Sequence, residues 1–292
     1  MRRLAYLFGL LLIVSFVLSA CKSKPAPAEG VSPPAPSAAL FFDRIEAGDP
    51  SRLILHFTLE VRNPISSACR IKIESWRAEV NGRRADSGFS LHYSESGFPV
   101  GAMASASFPL KLDMDVAALA ALGLAPADDY EVKLITQLDF AFDSAPPVKT
   151  EVSCLAVFPG VRAPEFNITA IAILKAELIN TRFRVTMRID NPNPFPVELS
   201  AFNYTLYGNG KLWADGAERN VLRVPAKSSL EGNLFLLMNF IDMDRNLLDQ
   251  IVNLIDVNYR FTGEAQVSTG VEYLPRFSTG FDLSGYSEVL ER

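Results

Sequence analysis

Nucleophilic catalysis requires a nucleophile beside a base, and the chain has two histidines that could act as that base, His56 and His92. Neither lies near a Gly-x-Ser-x-Gly segment, which would expose a serine nucleophile. His56 also falls on the polar face of an alternating segment, where a solvated side chain is the usual outcome. The residues therefore predict a protein that is not an enzyme and uses no cofactor.

Two acidic pairs have the carboxylate spacing that calcium loops use, Asp113-Met114-Asp115 and Asp242-Met243-Asp244. A calcium loop that began at the second pair would have Leu247 in place of its sixth-position glycine and Asn253 in place of its bidentate glutamate. Both pairs precede predicted helices, so N-terminal capping explains them better. We expect no metal site.

Cysteine thiols could be acylated, oxidised or simply buried. A shift of the chain by 128 residues places Cys69 on Val197, and Cys154 falls in the phase of Val148 and Val152. Both observations favour two buried thiols that act as small hydrophobic side chains. Export would also allow oxidation, so a disulfide between these two cysteines is the alternative.

The third cysteine, Cys21, follows a basic start at Met1-Arg2-Arg3, an apolar run over 4–18 and the small residues Ser19-Ala20. This pattern resembles the bacterial lipobox, and an ordinary secretory signal is the alternative. The resemblance implies cleavage before Cys21, acylation of its thiol and amino group, and a membrane anchor through that N-terminal lipid. We expect an extracytoplasmic protein of the cell envelope. Lys22, where inner-membrane retention in enterobacteria uses aspartate, slightly favours the outer membrane or the cell surface.

The remaining chain has the composition of packed globular modules, with 49% hydrophobic and 21% charged residues. Removing a signal at 1–20 and a Pro/Ala-rich tether at 21–39 leaves roughly 250 residues, enough for two domains. We place these at 40–160 and 161–292. The formal net charge is −5 and the globular part has no Lys/Arg cluster, so nucleic acid is not an expected partner. The oligomeric state stays open.

An internal repeat supports the two domains. A shift of 128 residues places Asn63-Pro64 on Asn191-Pro192 and Asn81-Gly82 on Asn209-Gly210. The segment before each Asn-Pro pair alternates apolar and polar residues, which predicts a half-buried strand that the proline ends. A change of apolar phase after each pair predicts a β-bulge, and each Asn-Gly pair predicts a tight hairpin turn.

Each copy then gives a further alternating strand, a short stretch of helical periodicity at 116–124 or 247–255, and more strands. Six or seven strands per copy, separated by turn signals, predict an all-β protein. The expected fold is two tandem fibronectin- or immunoglobulin-like antiparallel β-sandwiches, each with one short helix.

The second copy also carries a recognisable motif, in which a strand over 184–190 runs into Asn191-Pro192-Asn193-Pro194-Phe195 and is followed by 204–210. It resembles the group 2 late embryogenesis abundant domain, also called the water stress and hypersensitive response domain, over residues about 165 to 285. The resemblance is weaker over about 40 to 158, where Ile65 replaces the second asparagine. The family implies a fibronectin-like sandwich with one helix and a link to stress tolerance.

These observations favour a non-enzymatic membrane-anchored lipoprotein with a binding or stress-protective role. One version has an apolar groove near 191–197 that accepts a lipid or another apolar ligand. The alternative is an adhesion or scaffolding module that binds an envelope protein through an exposed Phe195, and a hydrolase with an unfamiliar site ranks last. The residues expected to form the ligand or partner region are Asn63, Pro64, Asn191, Pro192, Asn193, Pro194 and Phe195.

Overall fold

The computed structural model describes residues 35–124, 127–143, 146–175, 181–238, 257–286 and 290–291. The signal segment, Cys21, most of the tether, the acidic pair at 242–244 and the predicted helix at 247–255 lie outside the described residues. In the described part, no helix is long and apolar enough to cross a membrane. By their contacts, Pro36–Arg292 group into one unit.

Strands of the first half form two sheets that enclose one hydrophobic core. Sheet 1 has the order β1-β2-β7-β5, and sheet 2 has the order β4-β3-β8-β9 with β6 beside β3. We call this pair the first sandwich. Its strands are β1 (Ser37–Asp49), β2 (Arg52–Asn63), β3 (Cys69–Val80), β4 (Arg83–Ala85), β5 (Phe89–His92), β6 (Phe98–Val100), β7 (Ala104–Asp115), β8 (Asp129–Phe142) and β9 (Val148–Pro159).

The second half forms the second sandwich in the same way. Sheet 3 has the order β15-β11-β10-β18, and sheet 4 has the order β13-β12-β16-β17 with β14 beside β12. Its strands are β10 (Glu165–Lys175), β11 (Thr181–Asn191), β12 (Val197–Gly208), β13 (Lys211–Glu218), β14 (Leu222–Val224), β15 (Ser228–Met238), β16 (Asn258–Ser268), β17 (Arg276–Tyr286) and β18 (Leu290–Glu291).

The strand order confirms the predicted fold class of all-β, sandwich-like antiparallel sheets. The path β1-β2-β7 corresponds to β10-β11-β15, and β4-β3-β8-β9 corresponds to β13-β12-β16-β17. A parallel pairing of β18 with β10 departs from the otherwise antiparallel pattern. Both cores contain large aromatic side chains with almost no solvent exposure, namely Phe57, Phe140, Phe183, Phe202 and Phe261.

Local features predicted from the repeat are also present. The register of β3 against β8 shifts between Ile73 and Ser75, and that of β12 against β16 shifts between Ser200 and Asn203, as bulges do. Asn81-Gly82 and Asn209-Gly210 all have positive φ, as a type I′ turn requires.

Helix α1 (Val116–Ala121) follows β7 directly. The side chain of Asp115 accepts a hydrogen bond from the backbone N–H of Ala118, so Asp115 is the N-cap, as the sequence predicts. The carboxylate that resembled a calcium ligand in sequence is therefore engaged by the helix.

Candidate functional site: the Asn-Pro turns and the junction of the sandwiches

The first Asn-Pro turn is held by a buried asparagine at the end of β2. The Asn63 side chain has no solvent exposure. Its Nδ2 donates to the carbonyls of Ser67, at 2.8 Å, and Gly101, at 2.9 Å, and its Oδ1 accepts from the N–H of Ile65 at 3.1 Å. Such an Asx-type turn uses the short polar side chain as a substitute for backbone partners. The side chain therefore ties the end of β2 to the loops before β3 and β7.

The second Asn-Pro turn repeats this arrangement with one more acceptor. The Asn191 Nδ2 donates to the carbonyls of Phe195 at 2.8 Å, Pro225 at 2.9 Å and Val224 at 3.3 Å. Its Oδ1 accepts from the backbone N–H of Asn193 at 3.0 Å. Because Asn191 is buried and all its polar atoms are engaged, it stabilises the fold and presents nothing to a ligand.

Asn193, the second asparagine of the motif, binds the segment that connects the two sandwiches. Its Nδ2 donates to the carbonyl of Arg162 at 2.9 Å and to the Oδ1 of Asn191 at 2.9 Å. Its Oδ1 accepts from the Arg162 backbone N–H at 2.8 Å. The side chain is fully buried. In the first sandwich Ile65 occupies this position and cannot make such a pair of bonds.

An ion-pair network surrounds this contact. The guanidinium of Arg162 donates to the Oδ1 of Asp128 at 2.5 Å and to the carbonyl of Pro192, and the Nζ of Lys227 donates to the same Asp128 oxygen at 2.5 Å. Asp128 precedes β8 of the first sandwich, whereas Lys227 precedes β15 of the second. The hydrogen bond from Lys227, followed by that from Arg162, lowers the pKa of Asp128.

An aromatic contact completes the junction. The hydroxyl of Tyr273 donates to the carbonyl of Pro159 at 2.5 Å, and its ring packs edge-on against Phe158 with centroids 5.9 Å apart. Burial raises the pKa of Tyr273. A Cβ at Gly160 would collide with the carbonyl oxygen of Ala127, so the chain can pass here only with glycine.

The second Asn-Pro turn lies within a segment that is similar to a known protein family. Residues 186–275 match the model of the LEA_2 family, “Late embryogenesis abundant protein”. The LEA_2 match begins within β11, contains both asparagines of the second turn, and supports the LEA-2 domain predicted there. No curated protein matches the chain.

Several solved structures are similar to the chain at low sequence identity. A protein from Archaeoglobus fulgidus is 19% identical, with 43% of this chain and 97% of that chain covered and a TM-score of 0.27. Red sea bream transglutaminase is 11% identical, with 87% and 31% covered and a TM-score of 0.25. Bacteroides uniformis beta-glucuronidase is 10% identical, with 79% and 26% covered and a TM-score of 0.24. The chain thus spans a third or less of the last two.

Phe195 in the second Asn-Pro turn differs in exposure from the expectation that it is exposed. Pro194 is exposed, but Phe195 is only half-exposed and packs against the second core. Val197, directly after the motif, is fully buried. Core packing and hydrogen bonds therefore engage Asn191, Asn193 and Val197 inside the fold, and an apolar groove at 191–197 stays a prediction.

The alternative of a disulfide between Cys69 and Cys154 is also wrong for this structure, in which both are free. Cys69 lies opposite Phe142 and Cys154 opposite Leu134, eight residues apart on β8. That separation is about 26 Å along the strand, whereas a disulfide requires Cα atoms within about 7 Å. Cys69 is buried and Cys154 is half-buried, and burial raises the pKa of both thiols.

Neither histidine adjoins a nucleophile in a catalytic arrangement that the described contacts show. His56 Nε2 lies 3.0 Å from the carboxylate of Glu46, and the hydrogen bond lowers the Glu46 pKa. His92 Nε2 lies 3.2 Å from Asp113, which also pairs with Arg52 at 3.2 Å. Within the described ranges, no group of three or more His, Cys, Asp or Glu side chains could hold a metal ion.

A concavity that sequence reasoning missed lies on the outer face of sheet 4. We call it the sheet-4 trough; its volume is about 1040 Å³. Alternation along β12 and β16 places polar side chains on this face, and the alternation itself was the available signal. The polar side chains that line it include Asn203, Thr205, Asp215, Arg260, Thr262 and Glu264.

Proposed function

We propose that the protein is a lipid-anchored, non-enzymatic binding protein of the cell envelope, in which two LEA-2-like sandwiches act as one body. The observation that carries the proposal is the use of the motif asparagines. Every side-chain polar atom of Asn63, Asn191 and Asn193 is bonded inside the fold. The motif therefore organises the body, and binding is left to exposed surfaces.

Family and topology support this proposal. The LEA_2 family is non-enzymatic and points to a stress-related or binding role. The match covers residues 186–275 of the second sandwich, and the shared strand order of the first sandwich supports a tandem pair of such domains. A stress-protective role is the second candidate, and the family match is the observation that favours it.

Packing favours a macromolecular partner over an apolar ligand inside the second sandwich. Val197, Leu199 and Phe202 line the interior behind the motif with no exposure, so an acyl chain would have to displace a packed core. The sheet-4 trough, in contrast, is open and polar. A partner that docks on an outer sheet face therefore fits the body better.

The anchor is proposed from the pattern around Cys21, with the outer membrane or cell surface as the place. To test the anchor, the full chain is expressed in a bacterium that is supplied with a palmitate analogue. Wild type is compared with Cys21→Ala and with the control Cys154→Ala. We expect the label and membrane sedimentation to disappear only in Cys21→Ala. A Cys21→Ala chain that keeps the label would refute acylation at this residue.

The binding mode has its own test, native mass spectrometry of residues 36–292 purified from a bacterial host. These residues contain both cores and every junction contact described above. We expect the native spectrum to show the mass of the protein without bound lipid. We also expect organic extraction to release no lipid. A lipid bound in stoichiometric amount would contradict a macromolecular partner and would favour an apolar ligand instead.

A further inference from the structure

One outer face of the second sandwich combines cationic and apolar side chains. On sheet 3, Arg184 lies opposite Phe235 and Arg182 lies opposite Leu237. Phe235 is 59% exposed and Leu237 is 57% exposed. The Nε of Arg184 has no hydrogen-bond partner, and no ion pair engages either guanidinium among the described residues. We call these four residues the arginine face.

The arginine face ends where neighbouring charges neutralise one another. One step along β11, Thr186 donates to the Asn233 side chain at 2.9 Å. A further step along, Arg188 pairs with Asp190 at 2.8 Å. Along the described part of β11, the positive charge without an ion pair is therefore confined to Arg182 and Arg184, about 7 Å apart along the strand.

The opposite outer face carries the matching charge in the sheet-4 trough. Asp215 lies opposite Thr205, and Glu264 lies opposite Asn203. Within the described chain, neither carboxylate has an ion pair or a hydrogen-bond partner, whereas Arg260 is neutralised by Asp282 at 2.6 Å. Asp215 and Glu264 lie two strands apart across sheet 4 and two residues apart along the strand direction. Their Cα atoms are therefore about 12 Å apart.

Backbone in the trough leaves room for an inserted side chain. Gly263 contributes only backbone to the floor of the trough, because a Cβ at that position would collide with the buried ring of Phe281 on the core side of the sheet. Ala217 and Gly280 add no bulk beside it. An exposed aromatic ring could therefore lie on this floor beside Glu264.

The corresponding face of the first sandwich shows that such charges need not stay unpaired. On sheet 2, Arg77 pairs with Glu151 at 3.4 Å, and Lys149 pairs with Glu74 at 2.5 Å. These four charges are paired within their own face. In the second sandwich, Arg182 and Arg184 on sheet 3 and Asp215 and Glu264 on sheet 4 have no ion pair among the described residues, and they lie on opposite faces, where they cannot meet within one molecule.

We propose that the arginine face of one copy docks in the sheet-4 trough of a second copy, with Phe235 on the glycine floor and the two arginines against Asp215 and Glu264. The inference rests on the proposed role as a binding body and names its partner. Such an interface joins unlike patches head to tail and can extend beyond a dimer. Its dependence on charge makes it sensitive to salt.

Sedimentation velocity of residues 36–292 tests the proposal across protein concentration at about 50 and 500 mM salt. Three variants decide it: Arg182→Glu/Arg184→Glu, Asp215→Arg/Glu264→Arg, and the fourfold combination of both. We expect either double variant to weaken self-association at least about tenfold and the fourfold swap to restore it within about threefold. The control Arg223→Glu, an exposed charge of the same sandwich, should associate as wild type.

A monomer at every concentration would overturn the proposal, as would association that the variants leave unchanged. A third result would also overturn it: the wild type binds vesicles of anionic phospholipid, and the variant Arg182→Glu/Arg184→Glu does not. A lipid surface would then be what covers the arginine face. Circular dichroism confirms that each variant folds. The acylation of Cys21 is read separately, so its failure is distinguishable from failure of the interface.

Discussion

In the first sandwich the Asn-Pro turn closes its own domain, whereas in the second the corresponding turn also holds the segment that arrives from the other sandwich. Asn63 and Asn191 do the same work at the ends of β2 and β11. The difference lies two residues later, where Ile65 stands in one copy and Asn193 in the other. A single residue type thus separates a turn that ends a strand from one that also joins two domains.

The largest expected effect concerns the shared asparagine. Asn191→Ala would leave three buried carbonyls without the amide, and we expect a loss of about 3 kcal/mol in the free energy of unfolding. Asn63→Ala frees two carbonyls and should cost less, about 2 kcal/mol. Urea unfolding measures both, with Asn220→Ala as a surface control. A greater loss of unfolding free energy for Asn63→Ala than for Asn191→Ala would contradict a larger stabilising role for Asn191.

Exchange of the residues that differ should be asymmetric. Asn193→Ile removes the two bonds to the backbone of Arg162, and we expect a loss of about 2 kcal/mol in unfolding free energy. Ile65→Asn places the amide where Ile65 is only half-buried, so a change of about 1 kcal/mol or less is expected. Equal effects in urea unfolding would show that Asn193 has no special role.

The aromatic contact of the junction should have a smaller effect. Tyr273→Phe keeps the ring against Phe158 and removes the hydrogen bond to Pro159, which predicts a loss of about 1 kcal/mol. Tyr93→Phe, in the first sandwich, is the matched control. Thermal unfolding should separate the two variants, and indistinguishable melting temperatures would contradict a contribution from the hydroxyl.

The smallest effect concerns pH. Lys227 and Arg162 lower the folded-state pKa of Asp128, so its contribution to stability is present above the unfolded pKa of about 3.9. It is lost as pH falls through the folded-state value. Urea midpoints at pH 7 and pH 3 should therefore differ less in Asp128→Asn than in wild type. The same pH dependence in both proteins would exclude Asp128 as a contributor.

Much of the fold follows from local chemistry and was predictable. The bulge after Ile73, the turn at Asn81-Gly82 and the cap at Asp115 each depend on residues close in sequence. The partners of Asn193 could not be predicted in this way, because Arg162 lies 31 positions earlier and meets it only through packing.

The predictions for Phe195 and for the cysteine pair differ from the structure because both depend on contacts between residues that are distant in sequence. Phe195 looked exposed between prolines, but the fold turns its ring onto the second core. The spacing of Cys69 and Cys154 could not reveal that β8 separates them. The sheet-4 trough combines residues of several strands, and its unpaired charges emerge only from their register.

Scanning calorimetry of residues 36–292 tests most directly whether the second turn makes one body of the two sandwiches. We predict one cooperative transition for the wild type and two resolved transitions for the combined variant Asn193→Ile/Tyr273→Phe, because the junction contacts couple the domains. Two separate transitions in the wild type, unchanged by the substitutions, would contradict the account.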